Sequence, residues 1–447
     1  MNNNKLKHIF YAIFVLLMLI TTITCSGKKE EAAINFTFPE QTQAGVNYPD
    51  TRFAVISDIH LYDHSLGTSG SALEQLMAAD RKVLLDGIDL LDCAIENIIA
   101  SGVSFVLISG DLTKDGELIN HELTASKLKT LIDAGINVYV IPGNHDVNNP
   151  DAVSFFGDTT MPVANISAED FAAIYGDFGY ENALFRDDDS LSYIAETADG
   201  IWLLAIDSCR YRENTEGEHP LTGGKISQRT ADWMAVMLQT AMDHDKAVIA
   251  LMHHGVVEQW TGKKKLHPKY LIEGYEEFGH FLASYNVRLV FTGHYHAQDI
   301  TLAQFNDKFI YDIETGSLVT SPCPVRYVEL QNSYFNVISE TLADKLHPGS
   351  DFAEKAASVI RSAVITETKK TLKKYGVSKK NMEYVGAAVA EAFLAHYAGD
   401  EDEALRVHVD KSKLGLWGRV IYGQFKYALE GLWKDLPPED NNARFWL

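Results

Sequence analysis

The chain of 447 residues predicts an α/β fold followed by a helical segment. Short apolar, β-branched runs recur at 53–57, 103–109, 137–141, 201–206, 247–252, 287–292 and 309–313, the length and character of buried strands. Stretches of helical period lie between several of them, at 81–100 and 117–134, and strands alternating with helices build an α/β domain. From about residue 339 the clear strands stop and helical patterning continues at 352–374, 381–398 and 414–434.

Taken in order, Lys5 and Lys7 precede an unbroken apolar run at 9–20. A helix needs about 20 residues to cross a bilayer, so this run reads as a signal peptide over residues 1–25. Cys25, followed by Ser26-Gly27-Lys28-Lys29-Glu30-Glu31, resembles the acylated first cysteine of a bacterial lipoprotein. That resemblance implies an exported, membrane-anchored protein, periplasmic or on the cell surface, held through a lipid on Cys25. Residues 26–50 are polar and aperiodic, with Pro39, Gly45 and Pro49, and read as a tether. Residues 51–338 then form the α/β domain and 339–447 an all-α C-terminal domain, in which Trp417, Trp433 and Trp446 read as core. Cys93, Cys209 and Cys323 read as buried free thiols, since so few cysteines make no disulfide framework.

A hydrophobic share of 46% is globular composition and excludes disorder. Against 39 Lys and Arg stand 61 Asp and Glu, a net charge of −22. Such a balance argues against a nucleic acid polymer as partner. A small anion would still need cationic help at its site, for which bound metal is the natural source.

The chemistry sits directly after the strands. The first runs into Asp58-Ile59-His60, the second into Gly110-Asp111, and the third into Gly143-Asn144-His145-Asp146. Later strands run into His253-His254 and Gly293-His294-Tyr295-His296. Strand carboxyl ends of an α/β sheet face one crevice, so these side chains converge there. Taken singly each segment is an ordinary turn, but five such segments in the same structural position are a donor set for borderline divalent ions.

These blocks resemble the calcineurin-like metallophosphoesterase superfamily over residues 52 to about 330. The resemblance implies an α/β/β/α sandwich holding two divalent ions, Mn, Fe or Zn. Asp58, His60, Asp111 and His296 would hold one ion and Asp111, Asn144, His253 and His294 the other, with Asp111 bridging. It further implies hydrolysis of a small phosphate ester by a metal-bridging hydroxide, with His145 protonating the leaving group and Asp146 orienting His145. His254 is then a supporting or substrate-side residue.

Within the superfamily, Gly110-Asp111-Leu112-Thr113-Lys114-Asp115-Gly116-Glu117 and the helical C-terminal segment look most like bacterial 3′,5′-cyclic nucleotide phosphodiesterases. Alternatives are an exported phosphomonoesterase or general phosphodiesterase of nutrient salvage, and a surface binding protein with a structural metal site. Arg210 and Arg212, and Lys263-Lys264-Lys265 with His267, read as solvated loops, and His64 is left outside the site. Oligomeric state is not readable from the chain.

Overall fold

β-Branched and aromatic side chains fill the strands, and the connecting segments place helices on the outer faces. β1 (Thr51–Ile56) is followed by α1 (Ser71–Ala79), α2 (Gly87–Ser101), β2 (Phe105–Ile108), α3 (Leu118–Asp133) and β3 (Asn137–Val140). A hairpin of β4 (Val153–Phe156) and β5 (Thr159–Pro162) and then α4 (Ala168–Ile174) lead to β6 (Phe185–Arg186), β7 (Tyr193–Ala198) and β8 (Ile201–Ile206). Next come α5 (Gln228–Asp243), β9 (Ala247–Met252), the short α6 (Lys263–Leu266), α7 (Tyr275–Ser284) and β10 (Leu289–Thr292). The domain continues through β11 (Asp299–Phe305), β12 (Lys308–Glu314), β13 (Pro324–Gln331) and β14 (Tyr334–Thr341). α8 (Phe352–Lys374), α9 (Lys379–Ala398) and α10 (Leu416–Gly431) form the helical segment, and β15 (Asn442–Trp446) ends the chain. This computed structural model describes residues 34–40 and 46–447.

One sheet has the order β15-β14-β13-β1-β2-β3 and the other β11-β12-β10-β9-β8-β7-β6. They pack face to face. Phe53 of β1 meets Phe291 of β10 edge-on at 5.4 Å, and the Tyr193 hydroxyl of β7 donates to Val140 O of β3 at 3.0 Å. α3 packs on β3, while α5 and α7 pack on β9 and β12, completing the α/β/β/α sandwich. Every residue of β8 and β9 is buried, which is why these strands are apolar throughout rather than alternating.

The fold departs from the sequence expectations at the tether, at one helix start and in the C-terminal segment. The signal peptide, Cys25 and much of the tether lie outside the described residues, but the described end of 26–50 is packed rather than free. Tyr48 is fully buried, donating to Val248 O at 2.9 Å and accepting from Arg288 N–H at 3.1 Å, and Phe36 stacks on Phe281 at 4.9 Å. An aromatic ring whose polar tip is also satisfied gains more from burial than from solvation. Residues 35–447 accordingly form one compact unit.

The helix expected at 81–100 starts late, with a 3-10 turn at Leu84–Asp86 before α2. Tertiary partners hold residues 81–83 out of it: Val83 N–H donates to Val319 O at 2.8 Å, and Arg81 reaches Glu367 and the Tyr397 hydroxyl in the helical segment.

The segment expected to be wholly α is bounded by strands. β14 runs to Thr341, and β15 pairs antiparallel with it, Phe445 stacking on Phe335 at 4.7 Å. A five-residue strand alternates too briefly to announce itself. Of the three tryptophans read as core, Trp433 is buried, whereas Trp417 and Trp446 are 53% and 58% exposed.

Candidate metal centre

β1, β2 and β3 of one sheet and β9 and β10 of the other end at a common edge. Their following loops are stitched together there by backbone bonds. Asp58 N–H donates to Gly110 O at 3.1 Å, His60 N–H to Asp111 O at 2.9 Å, and Gly293 N–H to His253 O at 3.1 Å. The sheets are joined by His294 N–H donating to Asp58 Oδ2 at 3.0 Å.

Two ligand sets result. Asp58, His60, Asp111 and His296 offer donor atoms within 4.8 Å of one another, and so do Asp111, His253 and His294. Asn144 Oδ1 lies 3.3 Å from His253 Nε2 and so adjoins the second set. The two sets share one atom. Asp111 Oδ2 is 3.6 Å from His60 Nε2 and 3.3 Å from His253 Nε2, while Oδ1 is tied to His145 N–H at 2.9 Å.

These separations test whether ions fit. Bonds of about 2.0–2.2 Å at tetrahedral or octahedral angles separate neighbouring donors by about 2.8–3.6 Å. His296 Nε2 lies 3.2 Å from Asp58 Oδ1 and 3.3 Å from His60 Nε2, inside that window. Asp58 Oδ1 and His294 Nε2 are buried with no hydrogen-bond partner among the described residues. A buried polar atom left unsatisfied costs about 1–3 kcal/mol, and a divalent ion is the partner this donor set is shaped for.

Ring orientation follows from the ring nitrogens that face away from the donor cluster. His253 Nδ1 is 2.7 Å from Ser109 O, and His296 Nδ1 is 3.2 Å from Thr320 Oγ1, leaving each Nε2 for the centre. Burial, reinforced by nearby Lys82 for His60 and by His253 for His294, drives both of these rings well below the usual histidine range, so they present neutral donors. Burial favours protonated Asp111, yet His253, His145 and His60 overcome it and keep this carboxyl ionised.

The backbone is bent to make the cluster. Asp58, His60, Asp111, His294 and His296 have φ of 49°, 41°, 49°, 75° and 69°. Each left-handed non-glycine residue costs about 1–3 kcal/mol and persists only where its surroundings impose it. Close approach accounts for two glycines. A Cβ on Gly143 would collide with Asp111 Oδ1 and N, and one on Gly293 with Ser57 Oγ and Asp58 Oδ2.

His145 sits at the rim, its side chain 26% exposed, with Nε2 3.9 Å from Asp111 Oδ2. Its partner differs from the one expected. Asp146 does not reach the ring; its carboxylate accepts N–H groups of Leu112, Thr113 and Gly143 and the Thr113 hydroxyl at 2.8–3.0 Å. The residue that orients His145 is Asp115, whose Oδ1 lies 2.8 Å from Nδ1, with Lys114 O at 2.8 Å. Asp146 instead staples the loop after β3 to the loop after β2. The reason is directional: the side chain next in sequence to His145 points into the amide-rich turn beneath it.

Burial works against a charged His145, but Asp111 and Asp115 outweigh it and raise its pKa to about 9. Burial likewise opposes ionised Asp115, yet Lys114 and His145 lower it to about 2. Sequence reading passed over Asp115, although it stands in the Gly-Asp-Leu-Thr-Lys-Asp-Gly-Glu string.

Other residues singled out from the sequence fall into place. His254 is buried and spends Nδ1 on Ser208 Oγ at 2.8 Å and Nε2 on Thr222 O at 3.0 Å, so it supports the 208–224 loop. Arg210 pairs with Glu213 on an exposed turn, and His64 is exposed with Nε2 near Leu85 O. Lys263 is a correction: it is fully buried, paired with Glu314 at 2.9 Å and lying 4.6 Å from the centre of the Tyr295 ring. Tyr270, unmarked in the sequence, lies against the His294 ring, with centroids 4.5 Å apart and planes tilted by 37°. It stands between the centre and the helical segment, through Tyr295 at 4.9 Å and on to Tyr397 at 6.0 Å.

No curated protein matches the chain. Among solved structures, a dimetal phosphatase from Danio rerio is similar at 16% identity and TM-score 0.46, covering 66% of this chain and 97% of that one. The purple acid phosphatase PPD1 of yellow lupin (Lupinus luteus) is similar at 12% identity and TM-score 0.44, covering 68% of this chain and 53% of that one. The decisive match is that of the family model for calcineurin-like phosphoesterases, which spans residues 51–298 and so takes in β1 through the His294-Tyr295-His296 loop with every donor above. By that match over more than half its length, the chain belongs to the calcineurin-like phosphoesterase family.

Proposed function

We propose that the protein hydrolyses small phosphodiesters at this centre, with 3′,5′-cyclic nucleotides as the first substrates to test. The observation that carries the reading is Asp111 Oδ2, one carboxylate oxygen within 3.6 Å of ligands from both sets, with the rim histidine His145 beside it. When bound, two divalent ions supply an activated water and offset charge on the phosphoryl oxygens.

The chain supplies the proton. Because Nδ1 of His145 is taken by Asp115 Oδ1 and Lys114 O, Nε2 is the atom free to face a leaving oxygen. Asp111 and the hydrogen-bonded Asp115 together favour the protonated ring, and a general acid of this kind contributes about 10²–10⁴-fold. Asp146 keeps the loop carrying His145 in register by accepting the amides below it. The acidic surface, net −22, gives long polyanions little reason to dwell and suits small esters.

Metal content measured alongside turnover of bis-p-nitrophenyl phosphate, p-nitrophenyl phosphate and cyclic AMP tests the reading. Diester turnover with Mn, Fe or Zn bound supports it. A monoester rate far above the diester rates overturns the diesterase assignment, and no turnover of any of the three leaves the centre structural, as in a binding protein.

Export and acylation at Cys25 complete the proposal. Metabolic labelling with a palmitate analogue is expected to mark the wild-type chain and to be lost in Cys25→Ser. Labelling that survives the substitution rejects the anchor.

A further inference from the structure

The outer tip of the helical segment combines two features that a water-facing surface of an acidic protein does not ordinarily hold together. The first is apolar exposure. Leu416 and Trp417 open α10 at 82% and 53% exposed, and Val420, one turn on, and Tyr375, in the α8–α9 turn, are 45% and 43% exposed. The same helix buries Gly418, Ile421 and Tyr422 on its other side, so its outward stripe is surplus to packing.

The patch is one surface. The Trp417 indole N–H donates to Tyr375 O, the Tyr375 and Phe425 rings lie 5.7 Å apart, and Leu372, Val377 and Ile421 form a small core under it.

The second feature is charge. Residues 368–382 and 411–420 contain no Asp or Glu, in a chain whose net charge is −22. They carry five exposed lysines between 370 and 380, together with exposed Lys411, Lys413 and Arg419. Among the described residues none of these eight is in an ion pair, whereas Lys369 beside them pairs with Glu383.

We propose that this tip docks the protein on an anionic phospholipid surface, Leu416 and Trp417 entering the headgroup boundary and the flanking cations meeting lipid phosphates. Each exposed Lys or Arg held near an anionic surface adds about fivefold in affinity, and Trp and Leu beside such residues are the chemistry of interfacial anchoring. A second copy is disfavoured because a self-complementary contact would oppose like charges. A nucleic acid is disfavoured because Leu416, the most exposed group, and Val420 beside it are aliphatic, which suits a headgroup boundary better than base stacking. With the rest of the chain acidic, the tip is the part an anionic surface would attract, so docking also sets orientation.

Sedimentation of the full chain with phosphatidylcholine vesicles, with and without phosphatidylglycerol, tests this. All variants share residues 1–24, so differences among them report the tip. Wild type is expected to bind the phosphatidylglycerol vesicles more tightly and to lose that gain in concentrated salt. Combined Lys379→Glu, Lys380→Glu, Lys411→Glu and Lys413→Glu substitution is expected to weaken it by at least about a hundredfold. Leu416→Ser with Trp417→Ser is expected to weaken it about tenfold. Lys129→Glu with Lys345→Glu, on other faces, should leave it unchanged. Circular dichroism and turnover of p-nitrophenyl esters confirm that each variant is folded. Phosphatidylglycerol-dependent binding that survives the four reversals overturns the proposal, as does an equal loss in the control pair. Binding of a short oligonucleotide as tightly as of the vesicles also overturns it, in favour of a general polyanion face.

Discussion

Asp111→Asn is expected to empty both ligand sets together and to lower kcat by more than about 10³-fold, the scale of several kcal/mol of transition-state stabilisation by bound ions. The other ligands each serve one set, whereas Asp111 Oδ2 lies between His60 Nε2 and His253 Nε2. An amide in its place has one oxygen and no charge, so it cannot neutralise two adjacent cations. The carboxylate's second oxygen is also committed, to His145 N–H, so a substituted side chain cannot rotate to compensate without releasing the loop after β3. Elemental analysis should find both ions lost, and the rise in melting temperature that metal confers on wild type should vanish. His60→Ala is the informative contrast, since it touches only the first set and should leave the second ion in place. Two full equivalents of metal in Asp111→Asn would show that the ions do not share this carboxylate.

His145→Ala should keep both ions and lose about 10²–10⁴-fold in kcat on esters with poor leaving groups, with a much smaller loss on p-nitrophenyl esters. The imidazole is 3.9 Å from Asp111 Oδ2, at the rim of the donor cluster, and its removal leaves every donor in the two sets unchanged. A leaving group that departs as a stable anion needs no proton, so the difference between the two ester classes isolates the acid role. Loss of metal in this variant would move His145 into the coordination sphere.

The pH profile gives an independent reading. A raised histidine pKa means the acid form persists as pH rises and is lost on passing through the folded-state value, here about 9 in the absence of ions. Ions held by Asp111 would offset that carboxylate's pull and bring the alkaline limb down, which would leave Asp115 as the main group favouring the proton. Asp115→Asn should therefore shift the limb to still lower pH, whereas Asp146→Asn should chiefly lower stability by loosening the amides it accepts. An alkaline limb that stays put in Asp115→Asn would remove Asp115 from its positioning role.

Much of this was legible in the chain because parallel strands buried on both faces must be apolar, and because the loops that follow them share one edge. β8 and β9 agree with their expected bounds, and the donor segments follow β1, β2, β3, β9 and β10 as expected. The antiparallel strands β7, β11, β13 and β14 were not anticipated. β13 and β14 mix buried and open positions, so their signal is weaker than that of a continuous apolar run. Lys263 shows the opposite failure: three lysines in a row describe a solvated loop until Glu314, 51 residues away, supplies a buried partner.

The sequence by itself determined the α/β class, the acidic surface and the donor types at the strand ends, because each depends on residue identity and local period. Only the tertiary structure decided that a single oxygen of Asp111 lies between both sets, that Asp115 rather than Asp146 holds His145, and that Trp417 faces water beside lysines that have no ion pair among the described residues. Those outcomes turn on the direction of individual side chains and on partners tens to hundreds of residues away, which the order of residues along the chain does not specify.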